Sequence, residues 1–232
     1  MFDLDNTLLD GDSDVSWAEF LIAKGHIDAG RFHSRNLEFA DDYHNCTLDL
    51  DAYTAFVTGP MQQLWPLPLA ELQVEYQQQL RAMMLPAAID LIRRHRERGD
   101  YTMIMTATCN FIAGGVCDAF AVDSWMATML ELDQSGITGR IMGTPCFQAG
   151  KKTLLQQWLA ERSQFVFLRT WFYSDSYNDL PLLQAVARPV AVDPDPALRA
   201  HAEQYNWPVI SLRSDKLTRI PYVSTSTHAS LV

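Results

Sequence analysis

Apolar positions in the first third of the chain recur with the spacing of α-helices. Four amphipathic stretches can be distinguished, and they cover about residues 14–25, 29–44, 49–60 and 68–84. In the last of them, Leu69, Leu72, Tyr76 and Leu80 share one helical face. No alternation typical of a strand interrupts this region. The pattern therefore predicts four helices between residues 14 and 85.

Beyond Pro86, short apolar runs alternate with helical stretches. A helix is predicted over Ala87–Arg98 and ends at Gly99, and the compact run Tyr101–Thr106 predicts a buried strand. The remaining predicted elements are a helix at 110–120, a strand Trp125–Leu130, a hairpin around Gly136 and Gly139, a helix at 151–162, a strand Thr170–Tyr173, a helix at 178–187, a strand Pro189–Val192, a helix at 196–205 and a strand Pro208–Ile210. This alternation is typical of a mostly parallel sheet with helices on both faces.

The chain opens with Met1–Asp5, a short apolar and acidic segment that we interpret as another strand. The predicted helices of residues 14–85 therefore form an insert between this strand and the rest of an α/β domain. Residues 213–232 are polar and aperiodic, which predicts a loose tail.

Composition narrows the classes of function. Of the 232 residues, 48% are hydrophobic and 20% charged, which is typical of a folded globular protein. The net charge of −10 argues against a nucleic-acid partner, and no apolar run approaches the roughly 20 residues that span a bilayer. The N-terminus lacks a secretory signal pattern and the four cysteines form no CxxC pair. We therefore expect a cytoplasmic protein with no membrane partner, and the sequence carries no signal for its oligomeric state.

The charge is concentrated at one end of the chain. Residues 1–85 contain 14 Asp and Glu against 4 Lys and Arg, whereas residues 86–232 contain 14 of each class. This asymmetry suggests two units with different roles.

Two carboxylates follow the first apolar residues. In an extended segment Asp3 and Asp5 project to the same side, so they must repel each other or share a cation. Mg²⁺ suits a cluster of hard oxygens that also holds a phosphate. A turn or helix cap rich in Asp and Thr would have the same local sequence.

Three further polar groups follow predicted strands or begin predicted helices. Thr106 ends an apolar strand, Lys151 follows Gly150 at a helix start, and Asp175 and Asp179 lie where a strand turns into a helix. Helix capping and a solvated basic pair are the simpler explanations of each feature alone. Ligands of open parallel sheets bind beyond the carboxyl ends of the strands, which is where these groups are expected.

The order of these four features resembles the motifs of the haloacid dehalogenase superfamily, over about residues 1–211. The helical insert resembles that of its phosphoserine-phosphatase-like branch, which includes histidinol-phosphatase-like members. The resemblance implies a Rossmann-like three-layer α/β/α core with a parallel sheet, formed by residues 1–13 and 86–212. It also implies a helical-bundle (C1) cap over residues 14–85, with a flexible tail at 213–232.

The resemblance also implies roles for single residues. Asp3 would be the nucleophile and a metal ligand, and Asp5 the general acid and base that also binds the metal through its backbone carbonyl. The remaining implied roles are phosphate binding by Thr106 and the Ala107 N–H, charge neutralisation by Lys151, metal binding by Asp175 with support from Asp179, and orientation of Lys151 or the phosphate by Asn178. The cofactor would be Mg²⁺ and the partner a small phosphate ester.

The substrate is predicted from the charge of the insert. Between Arg35 and Arg81 the chain contains no Lys or Arg that could bind a substrate carboxylate. We therefore expect an amino-alcohol phosphate such as histidinol phosphate. Phosphoserine hydrolysis and a phosphotransferase or mutase reaction through the same intermediate remain alternatives. Lipid-phosphate hydrolysis and a non-enzymatic binding module are less consistent with these residues.

Only Met1 and Phe2 precede Asp3, whereas the equivalent strand of the family is longer. We therefore expect either that the true start lies upstream or that this strand is shortened.

Overall fold

The computed structural model describes residues 1–162, 165 and 169–213. Apart from Arg213, the tail predicted over 213–232 lies outside the described residues.

Four helices follow one another where the periodicity predicts them. They are α1 (Ser13–Ala23), α2 (Ala29–His44), α3 (Leu50–Leu64) and α4 (Leu67–Ala82). The first three begin after an aspartate, Asp12, Asp28 or Asp49, whose side chain accepts a backbone N–H of the first turn. The fourth has Pro68 in its first turn, where a missing N–H costs nothing.

The rest of the chain forms a parallel sheet flanked by helices. Its strands are β1 (Met103–Cys109), β2 (Ser124–Thr128), β5 (Trp171–Ser174), β6 (Arg188–Val192) and β7 (Val209–Ile210). Two pairings on one side, β5 with β6 and β6 with β7, are parallel, as is β1 with β2 on the other. The helices that follow or precede them are α5 (Pro86–Glu97), α6 (Asn110–Ala119), α7 (Ala149–Ala160), α8 (Leu180–Leu183) and α9 (Pro196–Gln204).

Phe2 joins the two halves of the sheet, because it forms parallel bridges to Ile104 of β1 and to Tyr173 of β5. The strand predicted over Met1–Asp5 is therefore wrong in extent. Pairing is limited to one residue, and the backbone then turns so that Asn6 N–H donates to the Gly11 carbonyl at 2.9 Å.

Two apolar layers enclose the sheet. Ile104, Tyr173 and Val190 belong to one buried cluster, whereas their strand neighbours Met105 and Phe172 belong to the other. Alternation of this kind buries both faces of a strand, so the fold has three layers. The α/β prediction is confirmed.

A hairpin extends the sheet domain towards the first four helices. Its antiparallel strands are β3 (Leu130–Asp133) and β4 (Gly136–Ile141), and β4 packs against α3. The hairpin was predicted around Gly136, but the strand predicted over Trp125–Leu130 is wrong at its end. It stops at Thr128, because Leu130 pairs with Ile141 in the antiparallel ladder instead.

The helix predicted over 178–187 is also wrong in extent. A 3-10 turn over Tyr177–Asp179 precedes α8, which is a single turn. Pro181 lacks the N–H that a continuous helix would require at this point, so the backbone changes its hydrogen-bond pattern there. Within the described ranges, no helix is both long and apolar enough to cross a membrane.

Candidate active site

A cavity of about 230 Å³ lies at the carboxyl ends of β1 and β5. One wall comes from the sheet side and includes Asp3, Asp5 and Asp175, while the opposite wall comes from α2 and α3 and includes Tyr43 and Tyr53. Lys151, Asn178 and Asp179 line it as well. The folding of the chain therefore brings most of the predicted site residues to one cavity.

Lys151 is buried between two carboxylates. Its Nζ atom is 2.7 Å from Oδ1 of Asp3 and 2.8 Å from Oδ2 of Asp179. Ser174 donates a second hydrogen bond of 2.7 Å to the same oxygen of Asp179. Burial alone would lower the pKa of Lys151, but Asp179 and Asp3 raise it well above the usual range. The lysine therefore stays charged.

Thr7 connects the carboxylates of Asp3 and Asp175. Its hydroxyl oxygen lies 3.2 Å from Oδ2 of Asp3 and 3.0 Å from Oδ1 of Asp175, and it accepts the Asp175 N–H at 3.0 Å. The single hydroxyl proton can be donated to only one carboxylate at a time. Sequence reasoning assigned Thr7 no role, although its spacing of four residues from Asp3 in a polar turn is visible in the sequence.

Asp5 is held from three sides. Its Oδ1 accepts the Ser13 N–H at 2.7 Å, and its Oδ2 accepts the hydroxyls of Thr108 at 2.8 Å and Thr106 at 3.3 Å. Burial, and after it the charge of Asp12, raises the pKa of Asp5 to about 6. Hydrogen bonding thus fixes the orientation of a carboxyl group that can exchange a proton near neutral pH.

The two threonines at the end of β1 occupy different positions. Thr106 is fully buried, and its hydroxyl accepts the Thr108 N–H at 3.1 Å. Ala107 and Thr108 line the cavity. β1 continues to Cys109 with a register shift after Met105, so the strand end that the sequence placed at Thr106 lies three residues later. The hydroxyl of Thr108 was overlooked for this reason.

Within the described residues, Asn178 forms no side-chain hydrogen bond with Lys151 or with its partners Asp3 and Asp179. Its Oδ1 accepts from Gln148 at 2.8 Å, and its Nδ2 donates to the Tyr43 carbonyl at 3.0 Å. The Tyr43 hydroxyl in turn donates to Ser176 at 2.9 Å. These bonds join α2 to the loop after β5.

Negative charge exceeds positive charge in the cavity wall. Burial raises the pKa values of Asp3 and Asp175, and for Asp175 the nearby charge of Asp3 raises it further, whereas Lys151 partly offsets the shift of Asp3. Burial also raises the pKa of Asp179 to about 6. Crowded oxygen donors whose charge Lys151 compensates only in part suit a hard divalent ion such as Mg²⁺.

The donor set limits how a metal could be held. In the parts of the chain that the structure describes, no three side chains of His, Cys, Asp or Glu are grouped closely enough to surround an ion. Two carboxylates, backbone carbonyls, water and substrate oxygens are a usual combination for Mg²⁺. The residues present fit that combination, with Asp3 and Asp175 as the two carboxylates.

This chain is similar to proteins of known sequence and structure. A family model described as haloacid dehalogenase-like hydrolase matches residues 1–184. The histidinol-phosphatase of Neisseria meningitidis serogroup C (strain 8013) is 40% identical over 217 residues, covering 92% of this chain and 98% of that protein. The crystal structure of a protein of unknown function from Bordetella pertussis Tohama I has a TM-score of 0.82 and 38% identity, covering 91% of this chain and 96% of that one.

A more distant similarity concerns the fold alone. A structure described as a phospho-aspartyl intermediate analogue of phosphoserine phosphatase has a TM-score of 0.64 at 15% identity. The similarity covers 86% of this chain and 88% of that chain.

Proposed function

Because this chain belongs to the haloacid dehalogenase-like hydrolase family and is one of its phosphatases, we propose that it hydrolyses a small phosphate monoester through an aspartyl phosphate formed on Asp3. The observation that carries the proposal is the contact of Asp3 with Lys151 in a cavity that Asp5 and Asp175 also line. An oriented carboxylate beside a buried cation is suited to attack a phosphate dianion, whose charge would otherwise repel it.

The first step forms a bond between a carboxylate oxygen of Asp3 and phosphorus, while the ester bond of phosphorus to the alcohol oxygen breaks. Asp5 donates a proton to the departing alkoxide. The raised pKa of Asp5, about 6, supports this role because a protonated fraction remains available near neutral pH. Lys151 neutralises charge on the phosphate oxygens during the transfer.

The second step releases inorganic phosphate. A water molecule attacks phosphorus, Asp5 accepts its proton, and the bond between phosphorus and Asp3 breaks, which restores both carboxyl groups. We propose that the Thr108 hydroxyl and the Ala107 N–H hold the phosphate, because both residues line the cavity. Thr106 would position Thr108, since its hydroxyl accepts the Thr108 N–H.

Mg²⁺ would be held by the carboxylates of Asp3 and Asp175 and by the backbone carbonyl of Asp5, where it would neutralise negative charge on the phosphate. Asp179 would act on this site indirectly, through its ion pair with Lys151. Asn178 would fix the cavity wall through Gln148 and Tyr43.

We also propose that residues 14–85, which include all of α1–α4 except Ser13, form a cap over a core made of residues 1–13 and 86–212. The cavity is lined from both parts, and hydrogen bonds cross between them at Tyr43 and Ser176. A cover of this kind would exclude bulk water from the aspartyl phosphate.

For the substrate we propose histidinol phosphate. The related protein from Neisseria meningitidis is described as a histidinol-phosphatase. Among the described residues that line the cavity, Lys151 is the single Lys or Arg, and it is already paired with Asp3 and Asp179. The acidic side chains of the cavity would therefore repel a substrate carboxylate, as in phosphoserine, and no free Lys or Arg of the lining could bind it.

The test measures phosphate release from histidinol phosphate, phosphoserine and p-nitrophenyl phosphate, with Mg²⁺ and with EDTA. We expect Mg²⁺-dependent release that is greatest for histidinol phosphate and at least about 10³-fold weaker in Asp3→Asn. The matched control is Asp10→Asn, which changes an exposed aspartate of the same segment and should retain wild-type release. Wild-type activity in Asp3→Asn would contradict the assigned nucleophile.

A further inference from the structure

The cavity wall formed by residues 36–53 differs in chemistry from the wall that carries the carboxylates. Five side chains of this stretch are Asp or Glu, yet none of the five lines the cavity. Apolar and aromatic side chains line it instead. They are Phe39, Ala40, Tyr43, Leu48, Leu50 and Tyr53. This wall is therefore suited to a carbon-rich part of a ligand rather than to a phosphate or a metal ion.

One stripe of α2 runs along this wall. Asn36, Phe39 and Tyr43 are spaced by three and four residues, which places them on one face of the helix. Tyr43 lies at the reacting end, because its hydroxyl donates to Ser176 in the loop after β5 at 2.9 Å. Phe39 is about 6 Å and Asn36 about 10 Å from Tyr43 along the helix axis. The stripe therefore leads from the reacting groups to an aromatic and then to a polar side chain.

Phe39 and Tyr53 form a corner of two rings. Their centroids are 5.4 Å apart and their planes are inclined at 76°. A planar ligand ring can lie against the face of one of them with its edge towards the other, and both arrangements are favourable for aromatic groups. Phe39 is only 4% exposed and also packs against Phe56, at 5.2 Å between centroids. The corner is thus fixed by packing before a ligand binds.

The corner lies on the side of Asp5, the proposed general acid. The Tyr53 hydroxyl donates to Asp14 at 3.4 Å, and the charge of Asp5 also acts on Tyr53. The alcohol part of a substrate departs on the side of the acid, so the corner faces that part. In extended histidinol phosphate, the single bonds between phosphorus and the ring span about 6 Å. This length matches the separation of Phe39 from Tyr43 along α2.

Asn36 is the polar group at the far end of the stripe. It is partly buried, and its side chain forms no hydrogen bond with any described residue. An amide both donates and accepts, so it can pair with either nitrogen of an imidazole. A ring that contains nitrogen therefore suits this wall better than a hydrocarbon ring.

We infer that Phe39 and Tyr53 bind a planar heteroaromatic ring in the alcohol part of the substrate, and that Asn36 forms a hydrogen bond with a ring nitrogen. The inference rests on the proposed phosphatase function and names the group by which that site recognises its substrate. Phosphate esters without a ring, such as phosphoserine, would leave the apolar wall in contact with water.

The kinetic test compares histidinol phosphate with alaninol phosphate, which keeps the amine but lacks the ring. We expect the wild type to favour the ring by at least about 10²-fold in kcat/KM, because several carbon and nitrogen atoms are buried together. In Phe39→Leu this preference should fall by roughly tenfold. Leucinol phosphate carries an aliphatic group instead and should be a poor substrate. Equal kcat/KM of the wild type for leucinol phosphate and histidinol phosphate would overturn the inference.

The matched control is Phe32→Leu. Phe32 lies two turns before Phe39 on the same face of α2, and both rings pack against Phe56. Both are buried, but of the two only Phe39 lines the cavity. The two variants should lower the melting temperature by similar amounts, whereas only Phe39→Leu should weaken the preference for the ring. The same weakening in Phe32→Leu would assign the effect to helix packing and overturn the inference.

Asn36→Leu tests the hydrogen bond to the ring nitrogen. Phenylalaninol phosphate provides a ring of similar shape without nitrogen, and the variant should hydrolyse it as the wild type does. The preference for histidinol phosphate over phenylalaninol phosphate should fall by roughly fivefold, the usual effect of one hydrogen bond. An unchanged preference would contradict the role of Asn36.

Calorimetry with the dephosphorylated alcohols separates the inference from the proposed function, because binding requires no cleavage of phosphate. Wild-type protein should bind histidinol more tightly than alaninol, and Phe39→Leu should lose most of this difference. That result would support the inference even if no phosphate ester were hydrolysed. Equal binding of the two alcohols by the wild type, or binding of neither, would overturn it even in an active phosphatase.

Discussion

Lys151 determines the local charge balance of the cavity, since it is paired with Asp3 on one side and Asp179 on the other. Its neighbour Lys152 is partly exposed and forms no ion pair among the described residues. Two adjacent lysines thus offer a controlled comparison of a buried and a solvated positive charge.

We predict that Lys151→Met lowers kcat/KM by at least about 10²-fold, the usual loss when one group that stabilises transition-state charge is removed. It should also lower the free energy of unfolding by about 3 kcal/mol, because Asp3 and Asp179 lose their buried counterion. Phosphate release and urea unfolding measure the two effects. Lys152→Met is the control, and an equal loss in that variant would contradict the distinction.

His95 is a second buried group whose protonation affects the fold. Its two ring nitrogens lie 2.8 Å from the Tyr173 hydroxyl and 2.9 Å from Oδ2 of Asp100. Burial lowers the pKa of His95 below 6.5, although Asp100 partly opposes the shift. The unfolded chain therefore binds a proton at a higher pH than the folded protein does.

This difference in pKa makes the stability of the folded protein depend on pH. As the pH falls below 6.5, the unfolded state gains the proton first, so the contribution of His95 to stability decreases, by at most about 1.4 kcal/mol per pH unit. We predict that the difference in unfolding free energy between wild type and His95→Gln shrinks between pH 7.5 and pH 5.5, as measured by urea unfolding. Both proteins contain the same other titratable groups, so the effect of those groups on stability cancels in this difference. A difference in unfolding free energy that stays constant with pH would contradict the prediction.

The beginning of α7 is the element that positions Lys151. Gly150 precedes the lysine, and a Cβ atom added there would lie 2.0 Å from the Pro145 carbonyl oxygen. Gln148, two residues before Gly150, has a positive φ of 46°, so the turn into the helix is already constrained. Only glycine allows the backbone of the preceding loop to approach the helix this closely.

We predict that Gly150→Ala destabilises the protein by about 2–3 kcal/mol, because backbone rather than a flexible side chain must move. The folded fraction should also lose activity, by roughly 10²-fold, since Lys151 shifts with the helix. The control is Gly59→Ala in α3, where no heavy atom lies within 4 Å of the added Cβ. That change should be neutral or stabilise by up to about 1 kcal/mol. Melting temperatures and phosphate release would measure both effects, and equal stability of the two variants would refute the argument.

For the molecule as a whole, the α/β part contributes the proposed reacting groups and the four helices close the opposite side of the cavity. The whole net charge of −10 arises from residues 1–85, because acidic and basic residues balance in the rest of the chain. Burial, and after it the charge of Asp3, raises the pKa of Asp175, so a bound divalent cation would stabilise the folded state in particular.

We predict that Mg²⁺ at about 100 times its dissociation constant stabilises the protein by about 2.7 kcal/mol, which raises the melting temperature by roughly 5–10 °C for a chain of this size. EDTA should reverse the shift. Asp175→Asn should abolish it, whereas Asp10→Asn, an exposed aspartate, should not. A full Mg²⁺ shift in Asp175→Asn would show that the cation binds elsewhere.

Local features could be predicted from the sequence because they depend on neighbours along the chain. The helical periodicity and the hairpin at Gly136 are both of this kind. The order of acidic and hydroxyl residues at strand ends also led to the correct family. The predictions of strand extent are wrong where pairing with residues distant in sequence overrides the local preference for an extended backbone. An example is the strand predicted over Met1–Asp5, in which only Phe2 pairs with β1 and β5.

The cavity itself depends on contacts between residues that are distant in sequence. The ion pair of Lys151 with Asp3 spans 148 positions, and the hydrogen bond of Thr7 with Asp175 spans 168. The sequence contains these residue types, but only the folded chain assigns Lys151 its two partners. Burial and mutual distance decide which charges are compensated, and both quantities exist only once the helices and the sheet have packed together.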